Sequence, residues 1–261
     1  MNSLHQKQMK VGGLDVHYVQ AGHGDPLIVI HGGANGAGAW KKNVAELAKK
    51  YTVYLPDLPG FGQSQEMDGD YYIPELVEFV EGFSNELGLK KFYLMGHSMG
   101  GAVAVSYALK FPGKVLKLVL VSSMCIGKEI ALWVRLFSSP VLSYSIGRII
   151  IHLFRAVKWV SDRIISGIEI ALPFSRTSIR IGTAATTFHQ QTMVLAPRLC
   201  EITAPTLVVW GARDPIVPAM HAWMAGALIP ECEVKVFEDC GHSVYRQKVD
   251  EFSDLVNGFL G

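Results

Sequence analysis

The sequence has no long hydrophobic run, no excess of charge of either sign and no closely spaced pair of cysteines. The longest apolar candidate, residues 136–147, is interrupted by Pro140 and four serines. A membrane-spanning helix needs about 20 consecutive apolar residues. The first ten residues also lack the apolar segment and the small-residue cleavage site of a secretory signal. We therefore expect a cytoplasmic protein without a membrane-spanning helix.

Neither sign of charge is in excess, because 24 Lys and Arg residues are balanced by 23 Asp and Glu residues. This balance argues against the strongly basic surface of a nucleic-acid-binding protein, so we expect no nucleic-acid partner. The four cysteines form no CxxC pair, and no His or Cys residues have the spacing of a metal site. We expect reduced thiols, no metal and no cofactor.

The sequence does contain a regular alternation of short apolar runs and helical patterns. With 261 residues, 49% of them hydrophobic, the chain can bury a large core. Strands are predicted at 14–19, 26–30, 51–55, 91–95, 115–121, 206–210 and 233–237, and helices at 40–50, 73–87, 98–110, 218–227 and 246–260. This alternation predicts an α/β fold with a mostly parallel, doubly wound sheet.

Residues 124–200 interrupt the alternation, because they contain helical patterns and no convincing strand. Nine basic and three acidic residues give this stretch a net charge of +6, whereas the rest of the chain carries −5. We interpret residues 124–200 as a helical cap inserted after the strand that ends at Val121. Residues 1–123 and 201–261 would form the core, and the cap would cover its site and select the substrate.

A helical pattern at residues 145–165 separates cationic and aliphatic residues onto two faces. Arg148, Arg155 and Lys158 share the polar face, where Trp159 is one of two apolar residues that intrude. Two interpretations remain open. The helix lays its apolar face on the core or over an acyl pocket, or it makes a peripheral contact with anionic lipid. The oligomeric state is also open.

A candidate nucleophile lies in the motif Gly96-His97-Ser98-Met99-Gly100, where a predicted strand ends and a helix begins. A sharp turn between a strand and a helix holds a serine clear of the sheet, near the positive end of the helix. Small flanking residues let neighbouring segments approach this turn. Ser98 is therefore the candidate nucleophile, and we expect His97 to face the core.

A serine hydroxyl needs a base to take its proton, and the base needs an acid to orient it. His242 follows the last predicted strand, and Asp214 follows the strand at 206–210, so both lie where the strands end. The position after the strand at 115–121 holds Ser122 and no carboxylate. His242 is the candidate base, and Asp214 is the candidate acid.

The turn His31-Gly32-Gly33 follows another apolar strand. Gly33 can present its backbone N–H to an oxyanion, and the residue after the nucleophile, Met99, presents a second. The glycines here match neither of the two common phosphate-binding patterns, G-x-G-x-x-G and G-x-x-x-x-G-K. We expect His31 to be structural, and Asp57, which ends another strand, to accept hydrogen bonds from backbone donors in its turn.

Five motifs in order resemble the α/β-hydrolase fold superfamily, in its serine-nucleophile branch: HGGANGAG, DLPGFGQS, GHSMGG, GARDPIVP and CGHS. The resemblance covers residues 10–122 and 201–261. It implies the same roles for Ser98, His242 and Asp214, and oxyanion donors at Gly33 and Met99. It does not by itself define the substrate.

The resemblance leaves three functions open. GHSMGG is similar to carboxylesterases and monoacylglycerol lipases, so we expect cleavage of a small to medium hydrophobic carboxylic ester through an acyl-serine. The alternative is a carbon–carbon bond hydrolase acting on a vinylogous diketo acid from ring cleavage, although those commonly have Trp where this chain has Ser243. A ligand-binding receptor with little turnover is the third. Haloalkane dehalogenases and epoxide hydrolases use an aspartate nucleophile, and position 98 is serine.

Overall fold

The computed structural model describes residues 4–33, 36–69, 72–137, 184 and 190–261. The strands there are β1 His5–Val11, β2 Leu14–Ala21, β3 Pro26–Ile30, β4 Thr52–Pro56, β5 Phe92–His97, β6 Val115–Val121, β7 Thr206–Gly211 and β8 Cys232–Phe237. They form an 8-stranded sheet in the order β1-β2-β4-β3-β5-β6-β7-β8. Strands β3 to β8 are parallel, and β2 runs antiparallel to both of its neighbours. The predicted mostly parallel α/β sheet is confirmed.

Helices cover both faces of this sheet in the described ranges. They are α1 Lys41–Leu47, α2 Ile73–Glu86, α3 Met99–Lys110, α4 Leu132–Phe137, α5 Met220–Leu228, α6 Val244–Gln247 and α7 Val249–Leu260, with 3₁₀ turns at Ala37–Trp40 and Ala196–Glu201. Helices α2, α3 and α5 pack on one face, and α1 and α7 pack on the other. Two hydrophobic layers therefore enclose the sheet.

The central strands are apolar on both sides because both of their faces are covered. All six residues of β7 are buried, and so are the last four of β6. Such near-continuous apolar runs are typical of parallel strands between two helical layers. Since the six parallel strands share one direction, the residues that follow them gather at one edge of the sheet. That edge carries the candidate site.

Strands β6 and β7 are parallel neighbours, so the chain leaves the sheet at the carboxyl end of β6 and returns to it at the amino end of β7. Between them the structure describes residues 124–137, 184 and 190–205. Arg148, Arg155 and Lys158 lie outside the described residues, so the cap and its lipid contact stay predictions. No helix in the described ranges is long and apolar enough to cross a membrane.

The side chain of Gln191 is bonded to residues 125–129, which follow β6. Its side-chain oxygen accepts a hydrogen bond from the N–H of Cys125 at 2.8 Å. Its amide nitrogen donates to the carbonyls of Gly127 at 2.8 Å and Glu129 at 3.1 Å. The N–H of Leu195 donates to the Cys125 carbonyl at 2.7 Å. Hydrogen bonds of the buried Gln191 side chain and of the backbone thus hold residues 125–129 and 191–196 together.

Candidate active site

The turn between β5 and α3 holds Ser98 in a strained backbone conformation, with φ 55° and ψ −117°. Its N–H donates to the carbonyl of Val121 at 2.9 Å, which ties it to the end of β6. A Cβ at Gly96 would collide with the carbonyl of Gly100, and one at Gly100 with the carbonyl of Ile30. The small residues that the sequence places here are therefore required by close backbone approach.

Asp214 and His242 form a hydrogen-bonded pair at the same edge of the sheet. The Nδ1–H of His242 donates to Asp214 Oδ2 at 2.8 Å, and the two side chains are 12% and 0% exposed. The N–H groups of Ile216 and Val217 donate to Asp214 Oδ1 at 2.8 and 3.0 Å. Because three donors hold the carboxylate, it orients the imidazole and leaves its Nε2 as an acceptor.

His97, the residue before Ser98, is hydrogen-bonded to the backbone of His242. Its Nε2–H donates to the carbonyl of His242 at 3.0 Å, and the two ring centres are 4.8 Å apart. The rings of Trp40 and Tyr245 meet His97 edge-on. Burial, together with the neighbouring His242, holds the pKa of His97 well below its ordinary value. A neutral His97 adds no positive charge beside His242 when that imidazole becomes protonated.

The glycine-rich loop after β3 is fixed at its start by His31. The Nδ1–H of this buried histidine donates to the carbonyl of Gly32 at 2.7 Å, and its Nε2 accepts from the N–H of Leu58 at 2.9 Å. Burial lowers the pKa of His31. Both ring nitrogens are therefore used in holding the loop, in keeping with the structural role expected of this residue.

Asp57 holds the other end of the same loop. Its Oδ1 accepts from the N–H of Ala37 at 2.7 Å, and its Oδ2 accepts from the N–H of Gln63 at 3.1 Å. These are backbone donors, as expected for this turn. The Nδ1–H of His17 also donates to Oδ2 at 2.8 Å. A Cβ at Gly62, which has φ 53°, would collide with the carboxylate.

Gly33 and Met99 are the expected oxyanion donors, and Gly33 lies beside the side chain of Met99. A Cβ at Gly33 would lie 3.8 Å from the sulfur of Met99. In contrast, no hydrogen bond joins the Ser98 hydroxyl to His242 in the described part of the chain. His242 is nevertheless held against the residue next to Ser98 by its bond with His97. Catalytic hydrogen bonds are often long until substrate binds.

Two features of the surroundings were missed from the sequence. Gln191 gave no signal because a single polar residue in an irregular segment resembles any loop residue. The pair His221–Glu129, with 3.0 Å between Nε2 and Oε2, links α5 to the segment after β6. Burial lowers the pKa of His221, although the carboxylates of Glu129 and Asp214 oppose this shift. The sequence signal for this pair was His221 itself, a polar residue within the otherwise apolar sequence of α5.

The described residues contain no group of three or more His, Cys, Asp or Glu side chains able to hold a metal ion. A mainly apolar groove of about 310 Å³ lies between α2, α3 and residues 193–198. Its lining includes none of Ser98, Asp214 and His242. The candidate site is therefore defined by the polar residues at the sheet edge and not by this groove.

Comparison with known proteins agrees with this architecture. The chain is 31% identical to the 2-hydroxy-6-oxo-6-phenylhexa-2,4-dienoate hydrolase of Comamonas testosteroni, over 94% of this chain and 91% of that one. A meta-cleavage product hydrolase from Pseudomonas fluorescens IP01 superimposes with a TM-score of 0.77 at 23% identity, over 97% of both chains. A thermophilic esterase from Thermogutta terrifontis gives 0.75 at 24% identity, over 98% of both.

Residues 25–249 match the family described as alpha/beta hydrolase fold. This match spans the sheet from β3 to β8 and includes the strained serine, the Asp–His pair and the glycine-rich loop after β3. The resemblance seen in the five sequence motifs is therefore confirmed at the level of the family. The chain belongs to the alpha/beta hydrolase fold family.

Proposed function

We propose that the chain is a serine hydrolase in which Ser98 is the nucleophile, His242 the general base and Asp214 the acid that orients the base. The backbone N–H groups of Gly33 and Met99 stabilise the oxyanion of the tetrahedral intermediate. The strained turn at Ser98 is the observation that carries this proposal. Among the described residues only three other than glycine have positive φ, and one of them is the serine of the motif.

The reaction would proceed in two stages through an acyl-serine. His242 Nε2 accepts the proton of the Ser98 hydroxyl as the oxygen attacks the carbonyl carbon, and then gives that proton to the leaving alcohol. Water repeats the sequence, with His242 again as base, and releases the acid. Asp214 stabilises the imidazolium in both stages, since its carboxylate is fixed by two backbone donors on its other oxygen.

A small to medium hydrophobic carboxylic ester is our first choice of substrate. The site supplies a nucleophile, a base and oxyanion donors, which are all that ester cleavage requires. The similarity of GHSMGG to carboxylesterases and monoacylglycerol lipases supports this choice, and so does Ser243 after the base. The fold likeness to an esterase is consistent with it.

Carbon–carbon bond cleavage of a vinylogous diketo acid is the second candidate. The relative from Comamonas testosteroni, a dienoate hydrolase at 31% identity, favours it. Such a substrate carries a carboxylate, so its pocket must also provide a cation or several donors for that group. Ester and diketo acid therefore differ in the polar partners they need at the end distant from the cleaved bond.

A direct comparison of the two substrate classes tests the proposal. We expect a series of p-nitrophenyl esters of increasing acyl length to give a maximum in kcat/KM that exceeds the value for 2-hydroxy-6-oxo-6-phenylhexa-2,4-dienoate. The reverse order would assign the chain to carbon–carbon bond cleavage. A single burst of product, with fluorophosphonate labelling of Ser98 but no steady turnover, would indicate a receptor instead.

A further inference from the structure

The surface formed by β8 and α5 combines an open sheet edge with an uncharged helix face. Strand β8 is the last of the sheet, so its outer backbone groups have no partner strand among the described residues. Helix α5 lies directly on β8, because a Cβ at Gly226 would be 2.5 Å from Val234 Cγ2. The strand edge and the helix thus belong to one continuous surface.

The exposed face of α5 is apolar throughout. Met220, Trp223 and Leu228 are 52%, 60% and 38% exposed, and Ala227 is exposed beside them. The helix contains no Lys, Arg, Asp or Glu, and its one titratable residue, His221, is buried. Exposed apolar faces that include a large aromatic residue are typical of interaction surfaces.

The charged residues of β8 alternate in a self-complementary way. Glu233 and Lys235 point to the same face of the strand, on either side of Val234. Neither forms an ion pair within the described ranges, and Lys235 Nζ lies 5.4 Å from the centre of the Phe237 ring. If a second β8 pairs antiparallel about a two-fold axis at Val234, Glu233 of each copy faces Lys235 of the other.

The opposite edge of the sheet has no such property. Strand β1 carries Lys7 and Lys10 and no acidic side chain, so two copies of this edge would bring like charges together. Charge on an edge strand ordinarily prevents pairing. On β1 the charges act in that way, whereas on β8 the alternation of sign permits one register and disfavours others.

We propose that two copies of this chain form a two-fold dimer through the outer edge of β8 and the apolar face of α5. Trp223 and its neighbours pack across the axis, and two Glu233–Lys235 pairs fix the register. A lipid surface fits less well, because α5 carries no Lys or Arg to attract anionic headgroups and Glu231, exposed three residues after the end of α5, would repel them. A second copy would bury the apolar residues of α5 and would also give Glu233 and Lys235 partners of opposite charge.

Light scattering coupled to gel filtration tests the dimer on the full chain. We expect the wild type to show twice the 28.6 kDa mass of one chain. Glu233→Lys and Lys235→Glu should each raise the dissociation constant of the dimer at least about tenfold, since attractive pairs become repulsive. The double exchange, Glu233→Lys with Lys235→Glu, should restore the dimer because the complementarity returns.

Two further variants complete the test. Trp223→Glu should give a folded monomer, checked by its circular dichroism, and Lys7→Glu on the opposite edge should leave the dimer unchanged. A monomeric wild type, including one that binds lipid vesicles through Trp223, would overturn the proposal. So would a dimer indifferent to Glu233→Lys, or one that the double exchange does not restore.

Discussion

Backbone strain is concentrated at the end of the sheet where the candidate catalytic residues lie. Ser98, Ser122 and Cys125 have φ values of 55°, 44° and 64°. The first follows β5, and the other two follow β6, the neighbouring strand. Residues held in rare conformations persist only where surrounding contacts impose them, and such residues cluster at functional sites. Strain and candidate chemistry therefore coincide at this edge.

Replacement of the nucleophile is the most direct test at this scale. We expect Ser98→Ala to lower ester turnover by about 10⁴ to 10⁶ and to abolish fluorophosphonate labelling, because the attacking oxygen is gone. Ser106→Ala is a matched control, since Ser106 lies on α3 and its hydroxyl has no partner among the described residues. Labelling of Ser98→Ala at the wild-type rate would contradict the assignment.

Replacement of the acid tests the orientation of the base. Asp214→Asn keeps the shape and can still accept from Ile216 and Val217, but its amide would face the Nδ1 of His242 with a donor. The imidazole then adopts the wrong tautomer, and kcat should fall by about 10⁴. Asp239→Asn, which alters an exposed ion pair with Lys248, should leave kcat unchanged. Equal effects in both variants would exclude Asp214 from the proposed role.

The individual candidates could be selected from the sequence because each follows a strand. Ser98 directly follows β5, Asp214 lies three residues after β7 and His242 five residues after β8. Parallel strands bring such positions together. The contacts of His97 and Asp57 could not be obtained in this way. His97 meets His242, and Asp57 meets His17, through tertiary packing that leaves no periodic pattern in the sequence.

At the scale of elements, the glycine-rich loop after β3 depends on the turn after β4. His31 bonds to Leu58 at the start of the loop, and Asp57 bonds to Ala37 at its end. Two consecutive residues after β4 therefore hold both ends of the segment that carries Gly33. The loop that contains Gly33 is therefore anchored at both ends by a neighbouring element.

This dependence predicts the effect of Asp57→Asn. An Asn side chain has one acceptor oxygen and one NH2 group, which is itself a donor. The NH2 group would face either the N–H of Ala37 or the donors of Gln63 and His17, so the loop shifts. We expect kcat to fall at least about tenfold with little change in KM, because loss of a whole oxyanion donor costs about 10² to 10³. Asp25→Asn, at an exposed position before β3, is the control. A rise in KM alone would show that Asp57 affects substrate binding instead.

Elements were predictable where the apolar pattern was strong. Strands β3 to β8 and helices α2 and α3 agree closely with the expected ranges. Strand β1 was missed because its exposed residues are polar and give no alternation of apolar side chains. The last helix was predicted as one, but it divides at Lys248, whose φ of −130° and ψ of 58° are not helical. Residues 124–200 gave only their helical pattern and their charge.

At the scale of the whole molecule, buried neutral histidines couple stability to pH. Burial lowers the pKa of His31, His97 and His221 below the ordinary value of 6.5. Between the lowered folded-state pKa and 6.5 the unfolded chain binds more protons than the folded chain. The free energy of unfolding is therefore highest above about pH 6.5 and decreases as the pH falls below it, by up to about 1.4 kcal/mol per pH unit for each histidine.

Urea unfolding at pH values from about 7.5 to 5.5 measures this dependence. His31→Asn should reduce the slope of unfolding free energy against pH, since one buried titratable group is lost. His23→Asn, at an exposed loop position, should leave the slope unchanged. A wild-type free energy that stays constant over this range would show that the three histidines do not remain neutral in the fold.

The Gln191 crosslink has a consequence for how this protein could change over evolution. Residues 124 to 131 and 190 to 196 are bonded to one another across a short gap, next to two adjacent strands. These bonds keep residues 131 and 190 close together whatever the length of the stretch of chain that joins them. Replacement or lengthening of that stretch need not disturb the sheet, the strained serine or the Asp–His pair. A new substrate specificity could then be acquired by exchange of the stretch between residues 131 and 190, while the folding of the sheet and its site is inherited unchanged.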